Sequence, residues 1–375
     1  MLAHIMLAHI KRDDLLRLSK QAALAVPRNT TIKELQGIHL EADEGNSMLT
    51  LTATNLEITI RASMGAVVER PGNTVIDARL LTDIVSKLPK DSNLDMELER
   101  GGQLAIRSGH THYLLNVLSG DKYPMPELPF PDDTIPVTGV QSLVRKTAFA
   151  AADGENAPLM SCIKISLGPD GLRGVSTNGF CIMEAKGDEN CKGASELLIP
   201  AHSLAALAAI SRDSDVYEMG LAGKSIVFWN GELLFSARLM EGKYPNTKIL
   251  FDSFQAKYSV NLSAEELASA VLSASVVAPE NSRIEVAFGE HVIRVSAGED
   301  RERATVPVKA LVLSAPGQPF YYNYKTLLQY LRLVKGKVTL DFDERGLLAI
   351  RAGATQYIQS PLRAPKQAAQ SQKAA

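Results

Sequence analysis

Two spacings of apolar residues organise this chain, one of period two and one of three to four, and they alternate along it. Leu15, Leu18, Ala22 and Ala25 form one helical stripe, predicting a helix near Asp13–Val26. Val140, Leu143 and Val144 begin another near Gly139–Ala151, and Leu267, Ala270, Val271 and Ala274 make a third near Ser263–Val276. Ser263 with Glu266 is a capping box, which marks the start of the third. Further helical stripes are Leu81-Ile84-Val85-Leu88, Leu204-Leu207-Ala208 and Leu327-Leu331-Val334. Strand-like alternation fills the stretches between, with turn signals at Arg100-Gly101-Gly102, Pro169-Asp170-Gly171, Asn230-Gly231 and Glu344-Arg345-Gly346.

One ten-residue strand pattern occurs three times, at Leu104–Tyr113, Ile226–Phe235 and Leu348–Tyr357. Its glycines Gly109, Gly231 and Gly353 stand 122 residues apart, and so do its aromatics Tyr113, Phe235 and Tyr357. Leu81, Leu204 and Leu327 repeat at 123, so helices and strands agree on the interval. A repeat that long is a domain, not a solenoid unit. The expectation is one α+β domain copied three times, antiparallel sheet with two helices on one face, over 1–133, 134–255 and 256–363. The joints fall in the proline-rich Pro124–Pro136 and near Phe251–Lys257, and the Ala-, Gln- and Lys-rich residues 364–375 read as a disordered tail. At the other end, Met1–Ile5 is repeated at once as Met6–Ile10, which reads as a duplicated start.

Composition narrows the class. With 45% hydrophobic and 22% charged residues the chain is ordinarily globular. No apolar run approaches the roughly 20 residues that span a bilayer, and the charges Lys11-Arg12 follow the first apolar stretch instead of preceding it as in a signal peptide. Cys162, Cys181 and Cys191 are odd in number and lack metal-ligand spacing, which points to a reducing, cytoplasmic setting with neither metal nor cofactor. The formal net charge is only −2, but its distribution is uneven. Arg12, Arg17, Lys20, Arg28, Arg79 and Lys87 sit on or beside the first helix pair. Arg145, Lys146 and Arg212 accompany the second, and Lys325, Arg332 and Lys335 the third. Acidic residues gather in turns such as Glu41–Glu44, Asp132-Asp133, Asp188-Glu189 and Glu299-Asp300. Helices facing one way would present a positive surface to a phosphate backbone without reading bases. Solvated helix faces would use the same residues.

Four ordered motifs give a resemblance. Thr52-Ala53-Thr54-Asn55-Leu56-Glu57-Ile58 resembles a T-x-T-D-L-E stretch of the bacterial DNA polymerase III β subunit, the replicative sliding clamp. Val175–Phe180 sits where that family has A-T-D-G-H-R-L. Leu239–Pro245 is similar to its L-[IV]-[ED]-G-[KR]-[FY]-P, and Tyr357–Arg363 to its closing Y-[VIL]-x-[MS]-P-[MVL]-R. The resemblance covers Met6 to Arg363. It implies three DNA-clamp domains per chain, closing head to tail as a homodimeric ring with helices lining the hole. Such a ring encircles duplex DNA without sequence preference and tethers the polymerase, so that topology gives processivity.

The resemblance also implies sites. A pocket for short peptides of polymerase, clamp loader and repair proteins would comprise Met160, Thr177, Gly179, Phe180, Cys181, Ile182 and Pro245. Lys248, Ile249, Ile358, Ser360, Pro361, Leu362 and Arg363 would complete it. The dimer contact would take Leu80, Arg107, His110, His112, Tyr113 and Leu115 against Val276 and Val277. Phe180-Cys181 replaces the family's usual His-Arg at the pocket rim, which alters its charge and donors. His110 and His112 replace arginines, and an expected pairing with Glu299, Asp300 or Glu302 across the joint would weaken as pH rises through the histidine range.

Other classes find less support. Gly220-Leu221-Ala222-Gly223-Lys224-Ser225 resembles a phosphate loop, but Glu218 stands where its first glycine belongs and a strand follows it. Cys181 has no evident base to make it a nucleophile. No enzyme is expected. A non-replicative ring-shaped adaptor, or an accessory clamp of a plasmid or phage, is the alternative.

Overall fold

The computed structural model describes residues 6–99, 101–128, 130–153, 157–168, 171–187, 195–299 and 302–365. Met1–Ile5, Arg100, Pro169-Asp170, Asp188-Glu189, Cys191, Asp300 and the tail from residue 366 lie outside the described residues. Seven α-helices occur among them: α1 Arg12–Ala23, α2 Ala78–Lys87, α3 Val140–Thr147, α4 Ala201–Ile210, α5 Thr247–Ser253, α6 Ala264–Ala274 and α7 Tyr324–Leu331. Six of these carry the expected stripes, and Leu81, Leu204 and Leu327 are at most 1% exposed. Val334 lies beyond the end of α7. Helix α5 stands where a linker was expected, because its short sequence shows no apolar period and buries only Thr247.

Each ten-residue pattern is a hairpin, not a strand. Gln103–Ser108 turns into Thr111–Asn116, Ser225–Trp229 into Leu233–Arg238, and Leu348–Ala352 into Thr355–Gln359. Gly109, Gly231 and Gly353 occupy the turns at φ of 57°, 91° and 55°, a region that only glycine enters freely.

The chain divides into two compact units, Met1–Gly139 with His202–Leu239 and Val140–Ala201 with Met240–Ala375. These cut across the division suggested by the repeat, because strand pairing joins neighbouring repeats. In the first unit a nine-stranded antiparallel sheet pairs Ile58–Gly65 with Leu233–Arg238, with Phe235 opposite Ile60. In the second, a nine-stranded sheet pairs Cys181–Lys186 with Thr355–Gln359, with Tyr357 opposite Met183. Each unit also holds a smaller antiparallel sheet. The first unit's has five strands, running from Val67–Arg70 at one edge through Met6–Lys11, Asn93–Glu99 and Gln103–Ser108 to Thr111–Asn116 at the other. The second unit's has four, from Glu302–Lys309 through Val292–Glu299 and Arg283–Phe288 to Phe320–Asn323.

Local hydrogen bonds repeat with the fold. Thr54 Oγ1 donates to Ile58 O at 2.8 Å, and Asn55 Oδ1 accepts from the amides of Glu57 and Ile58 at 3.0 and 2.7 Å. Thr177 and Asn178 build the same turn: Thr177 Oγ1 donates to Cys181 O at 2.7 Å, and Asn178 Oδ1 accepts from Phe180 and Cys181 at 2.9 and 3.0 Å. The left-handed position falls on Leu56 at φ 73° in one and on Gly179 at φ 84° in the other. Beneath the first turn the Tyr123 hydroxyl accepts from Thr54 N at 3.1 Å, and its ring lies 5.4 Å from that of His39. His39 is buried and its Nδ1 has no partner among the described residues.

Two consequences are measurable. Leu56 is 60% exposed, so Leu56→Gly removes backbone strain at little cost in packing and is expected to stabilise by about 1 kcal/mol. Gly179→Ala should cost about as much, since a Cβ there meets nothing nearer than Met160 Sδ at 4.0 Å and only the conformation is penalised. Urea unfolding of both variants checks the pair. Burial holds the His39 pKa below its ordinary value, so the unfolded chain binds the extra proton first. Stability is therefore lost as pH falls below about 6.5, and His39→Phe should lose less between about pH 7.5 and 5.5 than the parent does.

Candidate functional site

The ladder between Cys181–Lys186 and Thr355–Gln359 sets Ile182 opposite Ile358, and Ser360 N continues it by donating to Phe180 O at 2.8 Å. A cavity of about 170 Å³ lies over this junction, wholly inside the second unit. Thr177, Cys181, Ile182 and Ile358 are its buried side chains, and Phe180, 70% exposed, stands at its rim. Met160, Gly179, Pro245 and Ser360 complete the lining foreseen from the sequence. Asn246, Thr247, Leu250 and Leu347 also line it and were missed. Three of these follow Pro245 directly and belong to the unforeseen α5; Leu347 follows the Gly346 turn. Lys248, Ile249, Pro361, Leu362 and Arg363 do not line the cavity. Lys248 turns instead towards Asp252 one helical turn on, at 4.0 Å, and Ile249 is 59% exposed on α5.

The cavity suits apolar recognition. Tyr244 fixes the segment before it, its hydroxyl donating to Cys162 O at 3.3 Å. Tyr357, fully buried behind Ile358, stacks on Tyr330 at 4.6 Å with an interplanar angle of 9° and donates to Gln359 Oε1 at 2.9 Å. Gln359 Nε2 in turn donates to Asn323 O at 2.9 Å, and Asn323 caps α7. Two ordered strands and a capped helix thus hold the slot rigid. Burial pushes the Cys181 thiol up to about 12, so it is neutral and serves as an apolar wall at neutral pH. No group of three or more His, Cys, Asp or Glu suited to a metal occurs among the described residues. The phosphate-loop look-alike is a hairpin from Tyr217–Ala222 into Ser225–Trp229.

The basic residues divide into free and occupied. Lys20, Arg79 and Lys87 are exposed on α1 and α2, Arg145 on α3 and Lys325 on α7. Arg28, Arg212, Arg332 and Lys335 are exposed in the segments that follow helices, and Lys146 is half-buried. Arg17 Nη1 donates to Glu232 Oε2 at 3.0 Å. Arg12 is a correction: it is 6% exposed, and it donates to Val85 O at 2.8 Å and Ser86 O at 2.6 Å. It closes the C-terminal end of α2, where a cation meets unpaired carbonyls, and cannot face a phosphate.

The expected contact residues also sort by exposure. Val276 is 83% exposed and Leu80 42%; His110 and His112 are exposed, Tyr113 and Val277 half-buried. Arg107 is bonded to Glu97 of its own sheet. Leu115 is a second correction, buried in the protomer's own core, whereas its neighbour Leu114 is 47% exposed on the opposite strand face. Leu272 on α6, 51% exposed, was also missed.

Comparison with known proteins agrees with this fold. The family models for the N-terminal and central domains of the DNA polymerase III beta subunit match residues 6–129 and 134–246. The beta sliding clamp of Staphylococcus aureus is 28% identical over 302 residues, 78% of either chain. The DNA polymerase sliding clamp of Bacillus subtilis superposes with a TM-score of 0.87 at 23% identity, over 97% of this chain and 100% of that one. A Pseudomonas aeruginosa DnaN sliding clamp bound to griselimycin superposes at 0.86 and 21% identity, over 96% and 100%. With its repeated hairpins, inter-repeat ladders and matched motifs, the chain belongs to the DNA polymerase III β subunit family of sliding clamps.

Proposed function

We propose that two copies of this chain close head to tail into a ring that encircles duplex DNA and tethers a replicative polymerase. The observation that carries this reading is the fate of one strand in each repeat. Leu233–Arg238 and Thr355–Gln359 each pair with a strand of the preceding repeat, and their aromatics Phe235 and Tyr357 are 0% exposed. The equivalent strand of the first repeat, Thr111–Asn116, is a sheet edge with Tyr113 only half-buried. The strand of the third repeat that would receive a successor, Glu302–Lys309, is likewise an edge. Two joints close within the chain, and the parts of a third are left open. A second copy can supply it twice over, giving a closed heterologous ring.

Local packing supports the same joint. At the closed joint Phe149, in the turn after α3, meets the Tyr357 ring at 6.2 Å. Val276 holds the corresponding place after α6 and is left bare, so its partner is Tyr113 of the other copy. Carried across by the repeat interval, the strand register sets Tyr113 opposite Thr305, His112 opposite Val306 and Asn116 opposite Glu302. This register separates the histidines from Glu302, so an apolar and backbone joint replaces the histidine–carboxylate pairing.

The three-domain division, 1–133, 134–255 and 256–363, is retained as the evolutionary one. Exposed Lys20, Arg79, Lys87, Arg145, Lys325 and their neighbours meet phosphates without reading sequence. The cavity over Ile182 and Ile358 takes the apolar end of an extended peptide from polymerase, clamp loader or repair proteins. The chain carries out no reaction of its own and works in the cytoplasm.

Light scattering tests the assembly: a mass of about 81 kDa is expected, twice the 40.6 kDa of the chain. Val276→Asp should return it to the single-chain mass, and a parent that is monomeric at micromolar concentration would overturn the ring. Griselimycin should seat in the cavity. Leu250→Arg, at a 44% exposed rim position, is expected to weaken its binding at least tenfold by calorimetry, about 1.4 kcal/mol; unchanged affinity would remove the cavity from the proposal.

A further inference from the structure

The strand that follows each inter-repeat partner returns to the edge of the next sheet, and two examples can be compared. Val67–Arg70 pairs with Met6–Lys11 across a register shift between Leu7 and Ala8. Leu311–Ser314 pairs with Tyr258–Ser263 across a register shift between Ser259 and Val260. Both are outermost strands with an open edge. An open edge is a template for another chain, and proteins ordinarily blunt it with charge. The first edge follows that rule: its last two residues are Glu69 and Arg70, and His9 beside it bonds Glu69 at 3.1 Å. The second does not. Leu311 and Leu313, two residues apart, are 58% and 60% exposed, and no charge lies within the strand.

A groove of about 880 Å³ runs beside this apolar edge, lined by Leu311, Val338, Lys309, Lys337 and His291. Glu266 is its one acidic lining residue. Lys309 and Lys337 are exposed and make no ion pair among the described residues. Leucines on an unpaired strand, flanked by two free ammonium groups and an imidazole, favour one occupant: an extended chain with alternating apolar and acidic side chains. We infer that Leu311–Ser314 is a strand-addition site for an acidic extended segment of a partner protein, separate from the cavity over Ile182. The segment's backbone pairs with the open edge, its apolar residues cover Leu311 and Leu313, and its carboxylates meet Lys309 and Lys337. Closing the ring would leave this edge free, because Val67–Arg70 stays largely exposed beside a joint that is already closed.

The test uses the full chain and a fluorescent twelve-residue peptide of alternating Leu or Val and Glu or Asp. Fluorescence anisotropy should show saturable binding that weakens as salt rises. Lys309→Glu with Lys337→Glu should weaken it at least tenfold, and so should Leu311→Lys, an exposed position that the fold tolerates. A peptide N-methylated at alternate amides should bind at least tenfold less well, since it cannot join a ladder. No binding, binding that ignores the three substitutions, or equal binding of the methylated peptide would each overturn the proposal. Light scattering of the variants separates it from the ring: their mass is expected to match the parent's, and a fall to single-chain mass would assign the edge to contact between copies and overturn partner docking.

Discussion

The structure depends on antiparallel pairing between strands roughly 175 residues apart in sequence, Ile58–Gly65 with Leu233–Arg238 and Cys181–Lys186 with Thr355–Gln359. A buried strand edge must find partners for its amides and carbonyls, and each of these edges finds them in the neighbouring repeat. That requirement explains why the compact units do not coincide with the repeats. The central repeat gives one of its strands to each neighbour and is divided between them. It also explains why the chain is unfinished at both ends. A third joint of the same kind has both halves present, on Thr111–Asn116 and Glu302–Lys309, and no partner within the chain.

The cavity follows from the second joint. Its floor needs Ile182 and Ile358 side by side, which only the ladder provides. Its mouth needs a turn that keeps low, which Gly179 permits and a larger residue would obstruct. The first joint has the same Thr-Asn turn, but Leu56 takes the place of Gly179, and Glu57 takes that of Phe180 and bonds His202 at 3.1 Å. Two joints of one design have thus diverged: a polar pair and a protruding leucine cover one, while an aromatic rim opens the other to an apolar guest.

Much of this was legible in the amino-acid order. Periodicity located six helices because each presents a buried stripe to a sheet, and the recurrence of Gly109, Gly231 and Gly353 revealed the repeat. It left the pattern itself ambiguous, since a tight hairpin and a strand share alternation until the turn residue is given its positive φ. Helix α5 was hidden because a seven-residue helix with one buried side chain has no period to detect. Arg12 looked like its neighbours by charge; only the carbonyls of Val85 and Ser86 show that its guanidinium is already engaged. Leu114 and Leu115 differ only in which strand face they occupy, and a one-residue shift exchanges core for surface. Lys248 and Arg363 entered the pocket through family motifs, which carry sequence neighbours along with the residues that line the slot.

The central claim is that closure around DNA, not tight binding to it, holds this protein in place. Its most direct test loads the protein onto a nicked circular plasmid with a clamp loader, cuts the plasmid once, and follows retention by gel filtration at moderate salt. The account predicts stable retention on the circle and rapid loss after the cut, by sliding off the new ends. Equal retention on circular and linear DNA would show that charge alone holds it and would contradict the ring.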